Sequence, residues 1–172
     1  MKNTGSKTRV LKLICPVFII VFLIFSSIFI AQATCAEKST FKLISPAFKY
    51  GDRIPSKYTC DDVDVSPPLV WENPPAKTSY FTLLVNDPDA PVGNWIHWNV
   101  TFIPGNFRKL EEGVPTSSQL PSGIKQGKNT WGTVGYRGPC PPGGTHRYFF
   151  TIKAFDRGGH ELGEAVLMGR YR

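Results

Sequence analysis

Tyr80-Phe81-Thr82-Leu83-Leu84-Val85-Asn86-Asp87-Pro88-Asp89-Ala90-Pro91 is an apolar run that ends in a stiff acidic turn. Residues 80–86 have the length and residue types of a strand, and Phe81, Leu83, Leu84 and Val85 are nearly continuous, which predicts cover on both faces. Pro88 and Pro91 then fix the backbone and withhold two amide donors, so the strand stops there. The chain therefore delivers Asp87 and Asp89 to the end of a sheet. Read alone, the pair is an Asp-rich strand-end turn, which is common.

Working outward, Trp95 to Ile103 alternates, with Ile96, Trp98, Val100 and Phe102 on one face and Trp95, His97, Asn99 and Thr101 on the other. Arg147 to Phe155 reads as a third strong strand and Glu164 to Tyr171 as the last. Phe41 to Ile44 and Leu69 to Trp71 are shorter strands, the second stopped by Asn73-Pro74-Pro75. Residues 105–128 read as one long polar excursion, and Tyr136 to Gly144 as a Pro/Gly loop. Helical periodicity is not convincing anywhere after the first 36 residues. Fifteen Pro and sixteen Gly agree with strands and turns. The expected fold is all-β, an antiparallel sandwich with long loops and little helix.

The 172 residues suffice for one ordinary domain. The net charge of +7 misleads, because Lys2, Lys7, Arg9 and Lys12 precede any acid and residues from Glu37 on carry sixteen basic against thirteen acidic groups. No basic tract gives a nucleic-acid footprint. The basic start, the apolar run over 13–31 and the small residues Ala31-Gln32-Ala33 and Thr34-Cys35-Ala36 have the order of an export signal. The run is long for a signal peptide and nearly long enough to cross a bilayer, so residues 1–36 are a signal peptide or an N-terminal anchor and 37–172 the domain. Gln32 and Thr34 fit poorly before a lipidated Cys35. Export, periplasmic or extracellular, is expected, with any membrane contact confined to an uncleaved N-terminus. Of four Cys, only Cys60 and Cys140 lie in the domain. Oxidising conditions favour a bond between them, and two buried free thiols are the alternative.

The chain has three His, and two of them sit beside the predicted strand ends. His97 follows the Asp turn on the polar face of its strand. His146 opens the third strand after Gly138-Pro139-Cys140-Pro141-Pro142-Gly143-Gly144, and Tyr148 shares its face. Histidines, a tyrosine and amides from an irregular loop suit phosphate. Asp-x-Asp after an apolar strand also opens phosphotransferases of the haloacid-dehalogenase type, but those need alternating strands and helices. A metal site of Asp87, Asp89, His97 and His146 lacks any tight ligand spacing. No serine or cysteine nucleophile arrangement stands out.

The stretch Phe81–Pro91, Trp95-Ile96-His97-Trp98 and Gly138–Tyr148 together closely resemble the phosphatidylethanolamine-binding proteins, also called Raf kinase inhibitor-like proteins. Tyr58-Thr59-Cys60-Asp61 and Val65-Ser66-Pro67-Pro68-Leu69 resemble the prokaryotic branch, and the resemblance runs from about Phe41 to the C-terminus. It implies a β-sandwich with a pocket for phosphate, phosphoryl headgroups and similar anions, formed by Asp87, Asp89, His97, Cys140, Pro141, His146 and Tyr148. In that pocket His97, Tyr148 and the Cys140 amide would donate to the anion, and Asp87 would orient His97 or another donor. Arg147 alternates to the opposite face and is expected in a structural ion pair. The short path from Phe155-Asp156 to Gly158-Gly159-His160 departs from prokaryotic relatives, which carry a helix there, so an apolar face around Phe155 is expected to be uncovered. The implied function is non-enzymatic binding of phosphate or a phosphorylated small molecule, without cofactor or metal. A protein partner, as in relatives that inhibit kinases or proteases, enters by analogy. The other readings are inhibition of a secreted protease through residues 105–128 and hydrolysis by the Asp/His cluster.

Overall fold

The computed structural model describes residues 40–172; the signal peptide or anchor expected over 1–36, with Cys15 and Cys35, lies outside the described residues. Among the described residues eight strands form two antiparallel sheets. The smaller contains β1 (Lys42–Ile44), β2 (Leu69–Glu72) and β5 (Lys109–Leu110), in the order β1-β2-β5. The larger contains β3 (Tyr80–Asp87), β4 (Trp95–Pro104), β6 (Lys125–Gln126), β7 (His146–Phe155) and β8 (Glu161–Tyr171), in the order β6-β4-β3-β7-β8. Helix among the described residues is limited to short 3-10 turns. The fold is the all-β sandwich expected.

The core lies between the sheets. Phe81, Leu83 and Val85 of β3 and Tyr148, Phe150, Ile152 and Ala154 of β7 point inward and are essentially solvent-free. They meet Leu43, Leu69 and Trp71 of the small sheet, with the Trp71 and Phe81 ring centroids 5.4 Å apart. Each Val, Leu, Ile or Phe among them contributes about 1.5–3 kcal/mol by leaving water. Gly169 of β8 lets the 45–55 segment approach, since a Cβ there would fall against the Ile54 side chain and 2.9 Å from Phe48 Cε2.

The structure corrects three expectations. First, β3 is not covered on both faces: Tyr80, Thr82, Leu84 and Asn86 are half-buried on the outer face. A tight turn joins β7 directly to β8, and in place of a covering helix Tyr80 stacks on Phe155 at 5.2 Å, with Phe102 at 5.6 Å on its other contact. Second, Phe102 is 51% exposed and Ile103 is buried in its stead. A bulge causes this: the register passes from Phe81↔Ile103 to Leu83↔Val100, so β4 spends one extra residue, and Phe102 takes a positive φ of 58°. Third, the excursion over 105–128 is partly sheet, because it contributes β5 to one sheet and β6 to the other. Gln126 of β6 pins it by accepting from buried Trp98 Nε1 at 2.6 Å and donating to the Pro115 and Ser117 carbonyls.

Candidate functional site

Antiparallel pairing brings the end of β3 and the starts of β4 and β7 together at one end of the large sheet, where Asp87 pairs with Trp95 and Asn86 with Phe149. A second bulge lies here. The register steps from Val85↔Trp98 to Asn86↔Ile96, and His97 is the extra residue. Simple alternation puts His97 opposite Trp98, yet both are buried, at 3% and 0% exposure. The bulge thus turns His97 from the polar face to the interior.

There it borders a cavity of about 270 Å³ whose wall includes Asp87, Trp95, His97, Trp131, Cys140 and Tyr148. Tyr148 packs edge-on to His97, with centroids 5.2 Å apart, and Trp131 does so at 4.9 Å. His97 Nδ1 bonds the Arg137 carbonyl at 2.7 Å. Burial lowers the pKa of His97, opposed by that carbonyl and by the charges of Asp87 and Asp64. Asp87 is also buried, and its Oδ2 bonds His146 Nδ1 at 2.7 Å while Oδ1 accepts the Asp89 amide at 2.8 Å.

The donors around the cavity are incompletely used. Among the described residues three buried side-chain polar atoms have no partner. One, Trp71 Nε1, is in the core. The other two, Trp95 Nε1 and Tyr148 Oη, belong to residues of the cavity wall. Burial first, then the Asp87 charge and the approach of the hydroxyl to the Asp87 carboxylate, push the Tyr148 pKa well above the usual value, so the hydroxyl is neutral and faces Asp87. An unpartnered buried polar group of this kind costs about 1–3 kcal/mol.

The family model for phosphatidylethanolamine-binding protein matches residues 44–172. The chain belongs to that family. A UPF0098 protein of Methanothermobacter thermautotrophicus is 46% identical over 143 residues, 73% of this chain and 95% of the relative. Another, from Aquifex aeolicus, is 50% identical over 121 residues, 69% and 70% of the two chains. Two crystal structures share the fold. A phosphatidylethanolamine-binding protein homologue of Chlamydia trachomatis has a TM-score of 0.70 at 36% identity, over 78% of this chain and 99% of that one. Escherichia coli YbcL, described as a member of the mammalian family, gives 0.71 at 27% identity, over 77% and 98%. Membership makes this a binding-type protein of a generally non-catalytic family.

Within this phosphatidylethanolamine-binding protein domain the seven expected site residues part into two groups. Asp87, His97, Cys140, Pro141 and Tyr148 line the cavity. His146 stands outside its wall, bonded to Asp87, so the donor that Asp87 orients is His146 and not His97. Asp89 turns away altogether. Its Oδ2 accepts from Arg147 N and Nε at 2.9 and 2.8 Å, and its Oδ1 accepts from the guanidinium at 2.6 Å. That is the ion pair of Arg147, and it anchors the turn to β7. The four metal-ligand candidates therefore do not converge, and among the described residues no three of His, Cys, Asp and Glu do. Cys60 and Cys140 are joined by a disulfide, with Cα atoms 5.4 Å apart.

Sequence reasoning passed over Trp95 and Trp131 as wall residues and the Arg137 carbonyl as the group that sets the His97 ring. Trp131 lies in a loop without periodicity, and a carbonyl carries no residue signal.

The Asp89–Arg147 pair has an acid-side consequence. The Arg147 side chain holds the Asp89 carboxyl down to about 2 from its usual 3.8. A depressed carboxyl contributes stability above the unfolded pKa and loses it as pH falls through the folded one. Asp89→Asn is therefore expected to reduce the loss of stability between about pH 4 and pH 2, modestly because Arg147 is half exposed. Urea unfolding midpoints across that window check this; an unchanged slope in the variant would refute it.

Proposed function

We propose that this domain is an exported, non-enzymatic binding protein whose cavity takes a phosphoryl group, as inorganic phosphate or a phosphorylated small molecule or headgroup. The observation that carries the reading is the cavity itself, where Trp95, His97, Tyr148 and Cys140 come together beside Asp87. Hydroxyl, indole and imidazole side chains around one recess suit the acceptor-rich surface of a phosphoryl group. Cys140 in the same wall adds its amide as a donor that carries no charge.

The disulfide supports export, since such bonds persist in oxidising compartments. It also removes the Cys140 thiol as a nucleophile at the cavity, and Asp87 is already engaged through both oxygens. Both facts favour binding over turnover.

Titration calorimetry with inorganic phosphate tests the reading. Tyr148→Phe deletes the hydroxyl without changing the ring, and His97→Ala removes the wall ring packed edge-on against it. Each is expected to weaken binding by roughly tenfold or more, the worth of one hydrogen bond to a charged group. Unchanged affinity in both variants would remove the site assignment.

A further inference from the structure

We infer that the domain carries a second anion site, separate from the cavity beside Asp87: a recess at the β8 edge of the large sheet, walled by Arg53, Arg170 and Arg172, that takes a phosphoryl group bearing two or more negative charges, as a phosphomonoester dianion or a diphosphate.

Backbone pairing builds the recess. Residues 51–54 run beside the end of β8. Gly51 N donates to the Met168 carbonyl at 2.7 Å, Arg170 N to the Asp52 carbonyl at 2.8 Å and Ile54 N to the Arg170 carbonyl at 2.8 Å. Arg53 thereby stands in parallel register with Arg170, and Arg170 in antiparallel register with Arg147 of β7. Three arginines form one row across three neighbouring segments. Like charges set opposite one another in a sheet are destabilising. Arg147 is relieved by Asp89. Arg53 and Arg170 are not: among the described residues no carboxylate, side-chain or main-chain, lies within ion-pair distance of either, or of Arg172.

Arg53, Arg170 and Arg172 line one recess of about 280 Å³ together with Gly51, Thr145 and Tyr171. None of these residues borders the cavity beside Asp87. The recess wall holds no acid. The acids adjoining it are engaged elsewhere: Asp52 Oδ2 accepts the Lys49 amide at 3.1 Å, and Asp61 Oδ2 accepts the Tyr171 hydroxyl at 2.5 Å. The second bond fixes the buried Tyr171 ring, and the Arg53 guanidinium carbon lies over that ring, 5.0 Å from its centroid. A guanidinium resting on a fixed ring has less freedom to lose on binding.

The charge count selects the ligand. Arginine stays protonated, and its fork of N–H donors matches a pair of phosphoryl oxygens. One carboxylate or phosphodiester brings a single charge to three such forks. A group with two or more charges and several terminal oxygens neutralises more of the row and leaves fewer donors idle. The surrounding domain is nearly balanced in charge and has no basic tract, so nothing continues the recess along an extended polyanion.

NMR titration of the 15N-labelled full protein with inorganic pyrophosphate, in about 0.15 M salt to screen weak surface attraction, tests this. The amide signals of Gly51, Arg53, Thr145 and Arg172 are expected to move together and saturate. Arg170→Gln with Arg172→Gln is expected to weaken that binding at least about tenfold, and Lys77→Gln with Lys128→Gln, which removes the same charge from exposed loops, less than about twofold. Arg172→Gln alone, past the end of β8, is expected to weaken it too and carries the test if the double variant does not fold. With glycerol phosphate, affinity read from the same signals is expected to rise as pH passes about 6, where the ester gains its second charge. Vesicles of phosphatidylcholine and phosphatidic acid separate the sources of such a group. Cosedimentation that the arginine variant loses assigns it to a lipid headgroup; pyrophosphate binding without cosedimentation assigns it to a free molecule. The inference is overturned by recess signals that do not move, by equal weakening in the lysine and arginine variants, or by affinity indifferent to pH. Each of those results leaves the cavity reading standing, and an empty cavity leaves this one.

Discussion

Replacing Cys60 and Cys140 together by serine is expected to lower stability by about 4 kcal/mol, read as the fall in unfolding free energy in urea under non-reducing conditions. The bond closes a loop over a sequence separation of 80 residues, and loop-closure entropy in the unfolded chain grows with the logarithm of that length. Both cysteines sit in exposed loops, so serine removes little packing. The folded seam also survives without the bond. Cys60 N donates to the Pro139 carbonyl at 3.1 Å, Gly138 N to Asp64 Oδ1 at 2.6 Å and Tyr136 Oη to the Tyr58 carbonyl at 2.7 Å. The effect should therefore fall mainly on the unfolded state, with phosphate affinity in the folded variant changed less than stability. A double variant as stable as the native protein would show that the bridge does not hold the domain together.

How much of this was readable in sequence follows from where the information lies. β3 and β7 are long and apolar at the right spacing, so their existence and nearly their limits are local facts. The two errors on β4 share one cause. A bulge inserts a residue and reverses which face follows, and it exists only because a partner strand imposes register, so neither Phe102 nor His97 betrays it. β5 and β6 are two residues each and form through pairing with β2 and β4, which gives no periodicity to detect. The cavity was legible as residue types at strand ends, and the resemblance supplied their grouping. What neither supplied was partnership. Asp87 and Asp89 are two positions apart and chemically alike, yet one faces His146 in the interior and the other holds Arg147 at the surface. Two residues apart on a strand share a face, but the strand ends at Asp87 and Pro88 begins a turn, so the period is lost between them.

Gly138→Ala is expected to cost about 3 kcal/mol and to weaken phosphate binding by roughly tenfold. Its Cβ would fall against the Tyr58 carbonyl oxygen, 2.7 Å from Asp64 Oδ1 and 2.8 Å from Thr59 Cα. Two of these three atoms are backbone, so no side-chain rotation relieves the contact and the 58–64 loop must separate from the 136–140 loop. That movement breaks the Gly138 N–Asp64 bond and loads the Tyr136–Tyr58 bond beside it. It also displaces Arg137, whose carbonyl fixes the tautomer of His97, and Cys140, two residues along in the cavity wall. The stability loss alone would follow from any overpacked seam. The binding loss is the discriminating part, because Gly138 itself is not in the cavity wall. Measured below the unfolding temperature, native affinity in a destabilised Gly138→Ala protein would mean that the loop does not set the His97 ring. A parallel loss of affinity, with the His97 15N shifts moved from their native values, would show that the cavity depends on how closely these two loops meet.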